Sequence, residues 1–374
     1  MATTFKTLSS NDVTTTRTLL HESIPITGTL VSGTYGAHPN EENIKNYSHK
    51  YFQSVYDYPY LSSSANHIFD ISFGYGTDSI YSSSLEGSRR ELVTAQEKKI
   101  NMYNHMAQVL VGHDTNGAIK QFQVPGADRP MDTVIFLSFS RLLVKDEIKK
   151  QSFSLLLSTG SQYDHDFQHV RKYSDDWSDA FYIDSPAGEY GILSASTHRG
   201  DEPYFQQTGQ GAVSLDAAPL SWINGGLIFY QAGIAVLSAS LNDLTNITGS
   251  NGVVGSVDAM HTMHRMATGS NIQDFADAVR HRIENIQFNN TTELNSTIHF
   301  CRANHNDFNY SSNPTYLSNS KIRVKNTSID QSVTYITTVG LYSADNELLA
   351  VAKLSEPLKK TPDNELTIRV RLDY

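Results

Sequence analysis

The sequence predicts an α+β fold with strands in the majority: strand-rich mixed domains, a few amphipathic helices and a C-terminal β-sheet element. Three observations carry this. Short apolar runs rich in β-branched and aromatic residues recur, at 134–139 and 153–157. Helical periodicity is confined to a few stretches, above all 89–111. Residues 367–374 alternate cleanly, with Ile368, Val370, Leu372 and Tyr374 on one face and Arg369, Arg371 and Asp373 on the other. That is the pattern of a half-buried strand.

The first 40 residues are rich in Thr, Ser and Gly and read as an extended arm with turns at Thr27-Gly28 and Ser32-Gly33. Asn40 is placed to cap a short helix over 41–52. In the helix at 89–111, Ser88 and Glu91 make a capping box, and Gly112 ends it. Its stripe of Leu92, Ala95, Ile100, Tyr103, Met106 and Leu110 reads as core packing. The charged run 145–150 reads as a solvated turn or helix end. Residues 160–188 are polar, aromatic and acidic, and read as a long loop or irregular lobe.

Residues 227–237 form either a strand pair or one long strand bulged at Gly233. A glycine-rich turn region follows at 249–255, then helical signals at 259–267. A second capping box, Ser270 and Gln273, opens a helix whose apolar side is Ile272, Phe275, Ala276, Val279 and Ile283. Ile322 and Val324 alternate with Arg323 and Lys325, as in a strand. Further on, 333–342 and 348–354 flank the turn signal Ala344-Asp345-Asn346-Glu347 and predict a hairpin. The predicted divisions are an arm with a short helix (1–50), a main α+β domain (51–240), a helical segment (241–297) and a β-rich region (298–374). No repeat is seen at solenoid or propeller spacing.

A chain of 374 residues can bury a sizeable core. Its net charge of −10 argues against nucleic acid as a partner, because a phosphate backbone needs clustered Lys and Arg. Charged residues are only 18%, and Ser, Thr, Asn and 20 Tyr take their place, giving a polar, weakly charged surface suited to protein contacts. The single cysteine, Cys301, excludes internal disulfides and a Cys-based zinc site, and reads as a small buried residue. No signal peptide is read in 1–21. The apolar stretch at 225–237 is too short for a membrane span. A soluble protein made in a cytoplasm is expected.

Each group of residues that could carry chemistry also has an ordinary structural reading. His165 and His169 sit four apart, as zinc ligands do on a helix, but the metalloprotease glutamate is replaced by Asp166 and the segment reads as loop. His261 and His264, three apart, permit shared ligation, while Asp258 reads as a cap and His281 stands apart. Asp164, Asp166, Asp175, Asp176 and Asp179 supply carboxylates for glycan hydrolysis or calcium only if the fold pairs them. Phosphate-cradling glycine loops and the nucleophile elbow are missing. No catalytic, cofactor-binding or metal residue is therefore assigned, and the chain is expected not to be an enzyme.

Several long strings occur together in one order. They include Ser54-Val-Tyr-Asp-Tyr-Pro-Tyr, Met102-Tyr-Asn-His-Met-Ala-Gln, Ser138-Phe-Ser-Arg-Leu-Leu-Val and Ser185-Pro-Ala-Gly-Glu-Tyr-Gly. Phe308-Asn-Tyr-Ser-Ser-Asn-Pro, Tyr335-Ile-Thr-Thr-Val-Gly-Leu-Tyr342 and Glu347-Leu-Leu-Ala-Val-Ala-Lys follow. This set resembles a family of virion structural proteins of tailed bacteriophages, the T4-like myoviruses of marine and cyanobacterial hosts. The resemblance covers most of 50–160, 181–240 and 298–374. It implies a structural component of the phage particle without fixing which part; the tail baseplate or its wedge is the position expected, in symmetry-related copies. Its partners would be other tail, baseplate or neck proteins. A neck or connector protein is the alternative. So is a receptor- or glycan-binding tail component, with Tyr163, Tyr173, Trp177 and Tyr182 as sugar-stacking candidates. The resemblance transfers no catalytic residues and no cofactor. The Thr-rich arm reads either as a clamp onto a neighbour or as folded onto its own domain.

Overall fold

The computed structural model describes residues 5–36, 40–79, 82, 90–125, 130–158, 170–175, 182–199, 202–203, 223–239, 271–311, 317–318, 321–322, 327 and 329–374. They form a strand-rich, mostly-β protein with antiparallel pairing in every strand ladder and few helices. The chain divides into two compact units. The larger is residues 21–292; the smaller joins residues 1–20 to residues 293–374.

The elements run in order as follows. Strand β1 (Val13–Thr27) leads into the short helix α1 (Gly28–Gly33), then β2 (Ile44–Asn46), β3 (Gln53–Tyr56) and β4 (His67–Tyr75). Helix α2 (Arg90–Leu110) precedes β5 (Thr133–Phe139), the single turn α3 (Arg141–Val144), β6 (Glu147–Ile148) and β7 (Ser154–Ser158). Next come β8 (Val170–Ser174), β9 (Tyr182–Ser185), β10 (Gly188–Arg199), β11 (Glu202–Pro203), β12 (Ile223–Phe229) and β13 (Ile234–Ser238). Helix α4 (Ile272–Arg280) is followed by β14 (Ile283–Ala303), β15 (Leu317–Ser318), β16 (Lys321–Ile322), β17 (Thr334–Tyr342), β18 (Leu348–Lys360) and β19 (Leu366–Asp373).

The larger unit is built on a sheet ordered β14-β7-β8-β10-β12-β13-β5-β4-β3-β2, entered through the first residues of β14. Its central strands are apolar at both parities because both faces are covered. On one face Phe69, Ile71 and Phe73 of β4 lie beside Ile135, Leu137 and Phe139 of β5, all buried, under helix α4. The Phe275 ring of α4 stacks on Phe73 at 3.9 Å. On the other face Val134, Phe136, Leu227, Phe229 and Val236 meet Tyr103, Ala107 and Leu110 of α2. The Tyr103 hydroxyl is satisfied there: it donates to the Met131 carbonyl at 2.9 Å and accepts from the Phe122 amide at 3.2 Å. Gly74 permits the close approach of α2. A Cβ at Gly74 would stand 2.9 Å from both the Lys99 carbonyl oxygen and the Tyr103 nitrogen.

Helix α4 carries the predicted apolar side: Ile272, Phe275, Ala276 and Val279 are buried. Its cap differs from the prediction by one residue. Asn271, not Ser270, is the N-cap, and its side chain accepts from the Asp274 amide at 3.0 Å. Gln273 turns away from the cap and donates to the Tyr47 carbonyl at 2.9 Å. Ile283 already belongs to β14. The helix ends on Arg280, which is wholly buried. Its guanidinium donates to Val31 O at 2.8 Å, Asp277 Oδ1 at 3.0 Å and Gln53 Oε1 at 3.1 Å, with Glu41 at 3.4 Å.

Other expectations resolve as follows. The helix predicted at 41–52 is absent; Ile44–Asn46 is a strand paired with β3. Buried Asn43 ties this turn down by donating to Leu30 O and Tyr56 O, so sheet pairing overrides the local helix signal. The strands at 134–139 and 153–157 are present as β5 and β7, and the helix at 89–111 as α2. Residues 227–237 are a strand pair, turned at Gly233 with φ +68°. The charged run 145–150 caps α3 at Lys145, but Ile148 is buried and pairs with Asn290. Strands β8 and β9 occupy part of the predicted lobe at 160–188. The glycine-rich turn at 249–255 and the helical signals at 259–267 lie outside the described residues.

In the smaller unit, the second half of β14 pairs with β19 along eight residue pairs, from Ser296↔Asp373 to Ala303↔Leu366. The alternation predicted for 367–374 holds over 367–373, with Val370 buried, but Tyr374, predicted on the same face, is exposed. β17 and β18 form the predicted hairpin. Asn346 takes the left-handed conformation at its turn, φ +64°, which asparagine tolerates.

Candidate functional site

Of the sequence-flagged carboxylates, Asp175 is described, and it is structural. It is buried and accepts from Gln151 N at 2.8 Å, Phe153 N at 2.9 Å and the Tyr230 hydroxyl at 3.0 Å. Burial pushes its pKa up, and those donors pull against the shift. Tyr173 is fully buried and so offers no face to a sugar. Tyr182 is partly exposed, but Lys150 Nζ lies 4.7 Å from its ring centre. Asp164, Asp166, Asp176, Asp179, Tyr163 and Trp177 lie outside the described residues, as do His165, His169, Asp258, His261 and His264. His281 stands 3.3 Å from Glu41, inside the Arg280 cluster. Cys301 lies on β14, partly buried, and burial raises its thiol pKa. Among the described residues no three His, Cys, Asp or Glu side chains are grouped to hold a metal ion. Nor is any described helix long and apolar enough to cross a membrane.

The larger unit holds a cleft of about 580 Å³ that no sequence motif announced. Three segments build it. Residues 47–52 supply His49, Tyr51 and Phe52; α2 supplies Asn101, Met102, His105 and Met106; Asp70, Ser72 and Ser138 project from β4 and β5. The 47–52 turn is held from both sides. Ser72 Oγ donates to Tyr51 O at 2.7 Å, and Lys98 Nζ donates to His49 O at 3.0 Å. His49 stacks on Tyr47 with 10° between the ring planes. Asp70 is central to its polar wall: the Ser54 hydroxyl donates to it and His67 Nε2 lies 2.8 Å away. A nucleophilic triad needs the imidazole between hydroxyl and carboxylate. Here the carboxylate lies between the other two, so the three do not form that triad.

The smaller unit presents a different surface. The base of its hairpin is anchored by polar groups. Lys360 is fully buried, and its Nζ donates to Asn309 Oδ1 at 2.8 Å, Thr361 O at 2.8 Å and His305 O at 3.1 Å. Opposite it, Thr334 Oγ1 donates to Phe308 O at 2.6 Å. Beyond this base the hairpin is open. Tyr335, Tyr342, Leu348, Leu349, Val351 and Leu358 are exposed, Leu349 by 68%. Phe5 leans on Tyr342 with ring centres 4.7 Å apart. Ion pairs fix the N-terminal stretch to the same unit: Lys6 to Asp307, Asp12 to Arg302 and Arg17 to Glu293.

The sequence disclosed the hairpin but not its exposure. The available signal was the run Leu348-Leu349-Ala350-Val351-Ala352, apolar at both parities and hence on both faces. Compared with family models, curated proteins and solved structures, the chain matches none.

Proposed function

We propose that this chain is a structural component of a tailed-bacteriophage virion, in the tail baseplate wedge, acting through protein–protein interfaces in a symmetric assembly. One observation carries the interface reading. Among the described residues, the smaller unit buries only Ile298, Ala303 and Val370 as apolar core, yet it holds most of the exposed large apolar side chains. Apolar surface of that extent marks an interaction site. The family resemblance supplies the particle; the surface supports assembly over turnover. The neck is the alternative position within the same class. In this reading the chain is an α+β protein in which α2 and α4 brace the sheet and the C-terminal strands make contacts. It needs no cofactor.

The test is location. Antibody or tag labelling of purified particles is viewed by electron microscopy, with mass spectrometry for presence. Label at the distal tail is expected. Label at the head–tail junction moves the protein to the neck, and absence from particles overturns the reading.

A further inference from the structure

Among the described residues, β17 and β18 pair only with each other. A lone two-stranded ribbon is marginal in water and needs further strands or a covering layer. Its two outer edges are not alike. β18 carries Lys353, Glu356, Pro357 and Lys359. Its ladder also breaks there: Ile336 faces Leu358 while Thr338 faces Lys353, so residues 354–357 bulge. Charges, a proline and a bulge are the devices that stop an edge from taking another strand. β17 reads Thr-Tyr-Ile-Thr-Thr-Val-Gly-Leu-Tyr, without charge or proline. Its edge is unguarded.

We propose that a second copy of this chain occupies that edge. The two β17 strands pair antiparallel about a two-fold axis, which makes a four-stranded sheet ordered β18-β17-β17-β18.

Two features select a second copy over an unrelated protein. Self-pairing leaves the guarded β18 strands outermost on both sides, so growth stops at two hairpins and the contact closes. Charge agrees. The smaller unit holds eleven basic and ten acidic residues, so two copies meet there without net repulsion. The chain's excess of acid lies in the larger unit, where like charge keeps copies apart.

This pairing extends the symmetric-assembly reading, and its test needs no particle. Sedimentation velocity of the full chain at micromolar concentration is expected to show a dimer. Thr338→Glu, at an exposed position, faces Lys353 favourably within its own hairpin but brings two like charges to the edge, and is expected to weaken the dimer about tenfold or more. Its far-ultraviolet circular dichroism should not change. Lys359→Glu on the guarded edge should leave the dimer intact. In a Cys301→Ser background, Thr338→Cys should give a covalent dimer on mild oxidation. A wild-type monomer, a dimer indifferent to Thr338→Glu, or a dimer that fails to cross-link overturns the proposal. A dimer in solution that is absent from virions overturns the particle reading alone. A monomer that labels the virion overturns the pairing alone.

Discussion

The two units of this chain solve the burial problem in opposite ways. The larger hides apolar residues on both faces of a sheet, clamps the sheet between helices and buries the Arg280 guanidinium against Gln53, Val31, Glu41 and Asp277 acceptors. The smaller is held by paired strands, ion pairs and a buried lysine, and leaves its apolar residues outside. Below a certain size and core content a unit needs staples or partners to persist. One cysteine allows no internal disulfide, so on the proposed reading partners complete the smaller unit. The difference is one of division of labour: one unit carries its own core, and the other leaves most of its apolar side chains exposed.

Four changes would break or sharpen that contrast. Deleting residues 367–374 removes β19, the partner of β14 along eight pairs, and is expected to abolish incorporation into particles. Particles of normal composition carrying the truncated chain would show that the smaller unit does not need this strand. Arg280→Ala strands the carboxylates of Glu41 and Asp277 without their buried counter-charge. A loss of about 4 kcal/mol is expected, since breaking a buried pair exposes the desolvation cost. Urea unfolding monitored by tyrosine fluorescence reads this directly, and a loss under 1 kcal/mol would contradict it. Asp175→Ala leaves two backbone amides and the Tyr230 hydroxyl without their acceptor, for about 3 kcal/mol in the same assay.

The smallest effect concerns pH. Lys99 is buried, and desolvation drives its pKa down to about 7, against an ordinary 10.5. The unfolded chain therefore holds a proton that the folded chain releases between these values. Stability should rise with pH across that window, by about 2 kcal/mol after allowance for relaxation. Lys99→Met should remove that rise and leave a flatter profile. A slope that persists in the variant would assign it to other groups.

The legible parts of the fold were those where local pattern and burial agree. The α2 stripe is one: Tyr103 and Leu110 are buried at the predicted spacing. The strands around Phe136 and Leu155 are another, because β-branched and aromatic runs rarely do anything else. The residues at 41–52 were misread because Asn43 and Gln53 answer to distant partners: Leu30, Asp277 and Arg280. The α4 cap was displaced by one position because Ser270 and Asn271 are both good caps, and sequence cannot rank neighbours. The cleft was invisible for a further reason. His49, Asp70 and His105 come from three segments, and only the pairing register of β3 and β4 and the approach of α2 at Gly74 bring them together.

The smaller unit is discontinuous: residues 1–20 belong with residues 293–374. On a ribosome, the first piece emerges before residues 21–292, which do not belong to its unit. At synthesis rates of about 5–20 residues per second, it waits roughly 15–60 s for its partners. The larger unit is meanwhile complete and free to fold. The β17–β18 hairpin is made after the whole larger unit, so on the proposed pairing nascent chains crowded on one message have little to join by before then. On that reading order of synthesis acts as a timer, holding association back until the larger unit has emerged.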